Sequence, residues 1–294
     1  MSVRFDPSAP YEVEERDVPF ARPGGPELLA RIYRPKGAPA APLAALVDVH
    51  GGAWSRLDRT VGVHHGRGLA ACGLVVVSVD FRQGPAHKHP AAAQDVSAGI
   101  RWVRANASSL GADPGRVGLI GQSSGGHLAL LVAVRPGAPE LAGTPIVMPD
   151  GSLGATSGDD SVRCVMACYP VADPLARFRF MQAHTEDPKY PNAPRLLESH
   201  LGYFPDEAAM GAASVTAIVA GARNLPPAWV AQPEQDDNVP ADITEALVHA
   251  WARAGGHVDL VRFPGAKHGF MQQDSADTAK AIAGMRDFCS RFIV

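Results

Sequence analysis

Short apolar runs alternate with segments of helical periodicity along most of this chain. The apolar runs that predict buried strands cover residues 43–49, 74–79, 116–121, 162–169, 225–231 and 258–263. The segments that predict helices cover residues 60–72, 91–108, 128–134, 241–254 and 275–292. Strands that are apolar on both faces are typical of parallel sheets covered by helices on each side. The alternation therefore predicts an α/β fold with a mostly parallel central sheet and right-handed crossovers.

Other segments depart from this alternation. Residues 11–35 alternate apolar and polar positions around a Pro/Gly turn, which predicts an antiparallel strand pair at one sheet edge. Residues 135–160 are rich in Gly, Pro, Asp and Ser, and we expect them to form an excursion outside the core. Residues 174–224 lose the helical period and contain clustered aromatic side chains. We predict that they form short helices inserted over the sheet as a lid, within a single domain over residues 1–294.

Composition narrows the classes of function. The 294 residues are 46% hydrophobic, which is ample for one large core, and the net charge of −3 offers no basic surface for nucleic acid. The sequence has neither a membrane-spanning apolar stretch nor a signal-like segment near residue 1, so we expect a soluble, cytoplasmic protein that binds no membrane. The 4 cysteines lie among apolar neighbours, which predicts buried free thiols and no disulfide. The oligomeric state stays open, and a homodimer is compatible with this composition.

The segment Gly121-Gln122-Ser123-Ser124-Gly125 has the Gly-x-Ser-x-Gly pattern of a nucleophile elbow. An apolar strand precedes it and an apolar helix follows it, so the central serine would lie at a sharp turn. Glycine at both outer positions removes the Cβ atoms that would collide in such a strained turn. The frame selects Ser123, because Ser124 would need glycine at position 122. Ser123 is therefore the candidate nucleophile.

A serine nucleophile needs a histidine that takes its proton. In chains with a nucleophile elbow, this histidine comes last, after the serine and the acid. His249 lies within a predicted helix and His257 precedes a predicted strand, whereas His268 follows the strand over 258–263. Residues at the carboxyl ends of parallel strands share one edge of the sheet, which is also the edge where Ser123 lies. His268 is therefore the candidate base.

The acid that orients the base is expected after the strand over 225–231. That stretch contains Glu234, Asp236 and Asp237, and their spacing alone does not distinguish them.

Backbone N–H groups must stabilise the charge of the tetrahedral intermediate. The segment His50-Gly51-Gly52-Ala53-Trp54 follows an apolar strand, and its paired glycines let the main chain curl toward Ser123. We expect the N–H groups of Gly52 and Ala53, with Gly51 as a further candidate, to form an oxyanion hole together with that of Ser124.

Taken together, these motifs resemble the α/β-hydrolase superfamily. Within it they resemble the hormone-sensitive-lipase-like carboxylesterases and the BD-FAE-type esterases, in the branch that includes arylformamidases. The motifs are His50–Trp54, Gly121–Gly125, Asp236–Pro240 and Lys267–Phe270, in that order. The Asp-x-x-Val-Pro pattern of the family implies that Asp236 is the triad acid.

The chain shares two further segments with that family and departs from its pattern at two positions. Asp80-Phe81-Arg82 and Pro90–Asp95 match family segments that are structural. Ala53 replaces the third glycine of His-Gly-Gly-Gly and is followed by Trp54, which gives the His-Gly-Gly-x-Trp form. Pro233 stands three residues before the acid, where the family usually has glycine.

The resemblance implies a serine hydrolase that cleaves carboxylic esters of small, fairly apolar substrates through an acyl-enzyme, with no cofactor and no metal. We expect Trp54 and the lid aromatics Phe178, Phe180 and Tyr203 to shape an apolar substrate pocket. One alternative is an arylformamidase or another amide hydrolase that uses the same triad. A second is a hydrolase fold that binds a small molecule without catalysis.

Overall fold

The computed structural model describes residues 2–294, in which eight strands form one sheet and ten α-helices surround it. The strands are β1 (Val13–Ala21), β2 (Leu28–Pro35), β3 (Leu43–Val49), β4 (Val75–Val79), β5 (Ala112–Gln122), β6 (Val165–Cys168), β7 (Ala228–Gln235) and β8 (Val258–Lys267). The helices are α1 (Val63–Ala70), α2 (Ala91–Ala105), α3 (Ala107–Leu110), α4 (Ser124–Ala133), α5 (Pro174–Ala183), α6 (Ala193–Tyr203), α7 (Glu207–Ala212), α8 (Val215–Val219), α9 (Ala241–Arg253) and α10 (Ala276–Phe292).

The sheet has the strand order β1-β2-β4-β3-β5-β6-β7-β8. β1 and β2 pair antiparallel at one edge, and β2 pairs antiparallel with β4. All neighbours from β4 to β8 are parallel. The predicted fold class, a mostly parallel sheet flanked by helices, is confirmed.

Side chains of β3 alternate between two cores. Ala45, Val47 and Val49 pack in the cluster that also contains residues of α2, α4 and α9. Ala44 and Leu46 pack in the cluster that contains residues of α1 and α10. Because successive strand residues face opposite sides of a sheet, helices on both sides leave this strand with no solvent-facing position. That is the physical reason for its continuous apolar run.

The strands β7 and β8 are longer than their apolar runs predicted. β7 continues to Gln235 and β8 continues to Lys267, with an irregularity in their pairing between Pro233 and Gln235. Most of the added residues are polar, Pro or Gly, and the last two of β7 and three of the last four of β8 are exposed, so hydrophobicity did not mark them as strand. As a consequence, Asp236 and His268 each come directly after a strand.

The segment over residues 135–160 was expected to lie outside the core, and this prediction is wrong in part. Leu141, Ile146 and Val147 are buried in the same cluster as α2 and α4. Ile146 bridges to Ala21 at the end of β1, and Arg101 of α2 donates a hydrogen bond to the Thr144 carbonyl oxygen (2.9 Å). The few apolar residues of this loop therefore cover a surface of α2 that would otherwise be exposed.

Four helices, α5 to α8, occupy the segment 174–224, which we call the lid segment. Polar side chains cap several of them. The Asp173 carboxylate accepts a hydrogen bond from Ala176 N–H (2.9 Å) at the start of α5, and Asp206 accepts one from Ala209 N–H (2.7 Å) at the start of α7. Among residues 2–294, none of the helices combines the length and the apolar character that crossing a membrane requires.

The buried carboxylate of Asp95 joins α2 to the loop after β4. It accepts hydrogen bonds from the Arg82 backbone N–H (2.7 Å), from Arg82 Nη2 (2.8 Å) and from Thr144 Oγ1 (2.7 Å). The side chain of Asp95 is fully buried, so an uncharged replacement leaves the Arg82 guanidinium without its counter-charge. We expect Asp95→Asn to lower the free energy of unfolding by about 1.5–3 kcal/mol. Urea unfolding checks this, with the exposed Asp274→Asn as control; equal midpoints for the two variants would contradict it.

Candidate active site

Ser123 lies at the turn between β5 and α4. Its backbone has φ 53° and ψ −119°, a conformation that side-chain-bearing residues rarely adopt. The Ser123 N–H donates to the Cys168 carbonyl oxygen at the end of β6 (2.9 Å), which anchors the turn to the neighbouring strand. The side chain is nearly buried, with 8% of the residue exposed. The sharp, strained turn that the pentapeptide predicted is present, and it holds the hydroxyl at the carboxyl edge of the sheet.

The two glycines of the elbow prevent two different collisions. A methyl group on Gly121 would overlap the Gly125 carbonyl oxygen, which is the close approach that the sequence predicted. A methyl group on Gly125 would overlap the carbonyl oxygens of Val49 and His50, which the sequence did not predict. Gly125 therefore lets the elbow pack directly on the end of β3.

We expect Gly125→Ala to lower the free energy of unfolding by more than about 3 kcal/mol, because backbone carbonyls cannot swing away as a flexible side chain can. The matched control is Gly265→Ala, since a methyl group at Gly265 meets no atom within 4 Å. Urea unfolding of the two variants gives the comparison. If Gly125→Ala unfolds at the same urea concentration as Gly265→Ala, the packing of the elbow on β3 is not as described.

Ser123, His268 and Asp236 form one chain of hydrogen bonds. His268 Nε2 lies 2.8 Å from Ser123 Oγ, and His268 Nδ1 lies 2.9 Å from Asp236 Oδ2. Asp236 is itself held by the backbone N–H groups of Asn238 and Val239, each 2.8 Å from Oδ1. A carboxylate at Nδ1 favours the tautomer with hydrogen on that nitrogen, which leaves Nε2 free to accept the serine proton.

The other two carboxylates of that stretch lie elsewhere. Glu234 is exposed on the last part of β7, and Asp237 borders the cavity beside Ser123. The sequence alone left the three carboxylates open, whereas the family resemblance implied Asp236, and Asp236 is the one that the structure brings to His268. Pro233, where the family usually has glycine, lies at the irregularity between β7 and β8, which does not separate Asp236 from His268.

The glycine-rich loop after β3 borders the same cavity. Gly52 has φ 110°, and Ala53 and Trp54 follow it with φ of 53° and 59°. Gly52 and Ala53 line the cavity next to Ser123, and their N–H groups have no hydrogen-bond acceptor among residues 2–294. The Ser124 N–H lies in the first turn of α4, where no intrahelical acceptor exists. Gly51 does not line the cavity; it packs against Gln122 and Ser123.

His50 fixes the start of this loop. Its ring stacks on Phe81 with 4.2 Å between centroids, and its Nδ1 donates to the Gly51 carbonyl oxygen (2.7 Å). Burial lowers the pKa of His50, so this ring is neutral and acts as a fixed support.

The cavity beside Ser123 has a volume of about 310 Å³ and a largely polar lining. Its lining residues are Gly52, Ala53, Arg56, Leu57, Ser123, Asn192, Arg195, Leu196, Asp237, Asn238, His268, Gly269 and Gln272. The structure does not bring the residues of the predicted apolar pocket to this cavity, whose lining includes none of Trp54, Phe178, Phe180 and Tyr203.

Three of the four aromatic residues, Phe178, Phe180 and Tyr203, belong to the lid segment itself, and Trp54 packs against it. The Trp54 indole N–H donates to His127 Nδ1 (3.3 Å), and its ring stacks on that of Tyr203 with 5.5 Å between centroids. Phe178 is buried, and Phe180 stacks on His184 with 4.1 Å between ring centroids. Trp54 therefore ties the loop after β3 to α4 and α6.

Sequence analysis did not find several polar residues of the cavity, among them Arg56, Asn192 and Arg195. Arg56 follows the predicted oxyanion segment closely, and that proximity was the one available signal for it. Asn192 and Arg195 belong to the first turn of α6 and its cap, in a segment where the sequence showed no helical period. Their approach to Ser123 depends on how the lid segment packs, which no local pattern encodes.

Comparison with known proteins agrees with this architecture. The family model described as alpha/beta hydrolase fold matches residues 46–272. The chain is 31% identical over 264 residues to esterase LipC of Mycobacterium tuberculosis, a match that covers 88% of this chain and 61% of the relative. It is 28% identical over 294 residues to esterase LipQ of the same organism, covering 96% of this chain and 63% of that protein. The chain thus spans about three fifths of these curated relatives.

A solved structure gives a similar result. The structure of EstE1, a thermostable carboxylesterase cloned from a metagenomic library, superimposes with a TM-score of 0.75 at 26% sequence identity. The match covers 95% of this chain and 89% of that one.

Proposed function

The chain belongs to the α/β-hydrolase family, and on that premise we propose that it is a serine esterase that hydrolyses small carboxylic esters through an acyl-enzyme. The observation that carries the proposal is the hydrogen-bond chain from Ser123 through His268 to Asp236, with distances of 2.8 and 2.9 Å, beside a cavity. The similarity to proteins named esterase and carboxylesterase supports ester hydrolysis as the reaction.

In the first half of the proposed reaction, Ser123 Oγ attacks the ester carbonyl carbon while His268 Nε2 takes its proton. Asp236 holds the imidazole and stabilises the imidazolium. The N–H groups of Gly52, Ala53 and Ser124 stabilise the negative oxygen of the tetrahedral intermediate. His268 then returns the proton to the leaving alcohol, and the acyl group remains on Ser123.

In the second half, water replaces the alcohol. His268 takes a proton from the water as it attacks the acyl carbon, and Ser123 regains its proton when the acid leaves. We propose that the lid segment shields this acyl-enzyme, because Asn192, Arg195 and Leu196 of that segment line the cavity.

A panel of short alkyl and p-nitrophenyl esters, together with one aryl formamide, tests the reaction class. We expect ester hydrolysis, loss of that activity on treatment with an organophosphate, and one phosphoryl adduct on the peptide that contains residue 123, mapped by mass spectrometry. Folded protein that hydrolyses no ester and takes up no adduct would overturn the proposal. Faster cleavage of the formamide than of every ester would redirect it to amide chemistry.

A further inference from the structure

The arginines Arg56 and Arg195 lie at the junction of two cavities. Both line the 310 Å³ cavity that contains Ser123, and both line an adjoining cavity of about 340 Å³. They are the two residues that the linings have in common. Arg56 comes from the loop after β3, and Arg195 comes from the first turn of α6. Two separate parts of the chain therefore bring a guanidinium group to the same passage.

Neither guanidinium has a partner in the part of the chain that the structure describes. Within residues 2–294, no carboxylate lies within ion-pair distance of Arg56 or Arg195, and neither side chain donates a hydrogen bond. The Nη1 atom of Arg195 is buried without an acceptor. Burial, together with the charge of Arg56, lowers the pKa of Arg195. The protein thus holds two like charges together and leaves their hydrogen-bond donors free.

Two carboxylates lie near this junction, one in each cavity, but the guanidinium groups have no ion pair with either. Asp237 lines only the first cavity and Glu198 lines only the second, and neither pairs with an arginine within the described residues. The N-terminal end of α6 adds a partial positive charge on the same side, and Asn192 at its cap is neutral.

We propose that Arg56 and Arg195 bind a carboxylate carried by the substrate, so that this protein prefers anionic esters. The inference rests on the proposed function. It assigns the non-reacting end of the substrate: the ester group lies by Ser123, and a carboxylate at the other end lies between the guanidinium groups. Arginine suits this task because its planar set of donors matches the two oxygens of a carboxylate. The carboxylate comes either from a monoester of a dicarboxylic acid or from an ester of a hydroxy acid.

The substrate's carboxylate offsets the repulsion between the two arginines, which a neutral ester cannot do. A neutral analogue would leave the buried Nη1 of Arg195 without a charged acceptor. We therefore expect the wild-type protein to hydrolyse the anionic ester with a kcat/KM at least about 10-fold above that of its neutral analogue.

Two matched substrate pairs distinguish the two sources of carboxylate. For the acyl side, the pair is monoethyl adipate and ethyl methyl adipate, with release of ethanol as the measurement. For the alcohol side, the pair is 4-acetoxybenzoate and its methyl ester, with release of the phenol as the measurement. A preference for the anionic member of the first pair assigns the carboxylate to the acyl part, and a preference in the second pair assigns it to the alcohol part.

Variants then connect the preference to the arginines. We expect Arg56→Gln and Arg195→Gln each to lower the anionic-to-neutral ratio of kcat/KM by about 10-fold or more. Arg195→Lys keeps the charge but not the planar set of donors, so we expect it to lower the ratio less than Arg195→Gln does. The control is Arg223→Gln, an exposed arginine of the lid segment that lines neither cavity. Thermal unfolding establishes that each variant is folded, and Arg56 lies on an exposed loop position where substitution is tolerated more readily.

Two further outcomes separate this inference from the proposed function. Equal kcat/KM for both members of both pairs, or a ratio unchanged in the Arg56→Gln/Arg195→Gln double variant, overturns the carboxylate site while esterase activity stands. If no ester of either charge is hydrolysed, the proposed reaction fails, and calorimetric binding of monoethyl adipate to Ser123→Ala decides the site alone. Binding that persists when both arginines are replaced, or no binding at all, then overturns it.

Discussion

Replacing Ser123 by alanine is expected to lower kcat for ester hydrolysis by about 10⁴–10⁶-fold. Alanine removes the hydroxyl that lies 2.8 Å from His268 Nε2, so no acyl-enzyme can form. The residual rate would come from the oxyanion-hole N–H groups and from substrate positioning, which an alanine leaves in place. Initial rates on a short p-nitrophenyl ester, with active sites counted by organophosphate titration of the wild type, give the comparison.

The neighbouring Ser124 provides the matched control. Its Oγ is buried without a hydrogen-bond partner among the described residues, and its proposed contribution is the backbone N–H. Ser124→Ala keeps that N–H, so we expect kcat to fall by no more than about 10-fold. A Ser123→Ala protein that keeps a tenth of wild-type kcat, or a Ser124→Ala protein that loses more than Ser123→Ala, would refute the assignment of the nucleophile.

The parts of the site that could be predicted are those marked by a short pattern in the sequence or by their position directly after a strand. Ser123 follows β5 and His268 follows β8, so strand order along the chain was enough to place both at one edge of the sheet. The glycines of the elbow were informative because any residue with a side chain at these positions would collide with the backbone. Even here one contact was missed: Gly125 packs against Val49 at the end of β3 and His50 just after it, a contact that the geometry of the pentapeptide does not contain.

The walls of the cavity could not be predicted, for a different physical reason. An aromatic cluster can pack in a core or line a pocket, and the pattern of aromatic residues in the sequence is the same for both. Trp54 has a hydrogen-bond partner in His127 and a stacking partner in Tyr203, so it is satisfied without a ligand. The arginines are the opposite case. Arg56 and Arg195 resemble ordinary surface cations in the sequence and become distinctive only when the fold places both at the cavities with no ion pair among the described residues.

Asp236→Asn is expected to lower kcat by about 10³–10⁴-fold. The asparagine can donate to His268 Nδ1 through its amide, which favours the tautomer with hydrogen on Nε2, and that nitrogen then cannot accept the serine proton. The loss of charge also removes the stabilisation of the imidazolium that forms during attack. The fold should tolerate this change, since an asparagine Oδ1 can still accept the N–H groups of Asn238 and Val239, which lie 2.8 Å from Asp236 Oδ1.

Asp237→Asn is the matched comparison, because it removes the same charge one residue further along the same loop. Asp237 borders the cavity but makes no hydrogen bond to His268 within residues 2–294, so we expect its kcat to stay within about 10-fold of wild type. Rates on one neutral ester, measured across pH with both variants folded, give the result. If Asp237→Asn is the more damaging change, then the loop rearranges in the working enzyme and Asp237, not Asp236, orients the histidine. Both variants lose one unit of charge at adjacent positions, so the difference between them measures what Asp236 gains from its direct contact with His268 Nδ1.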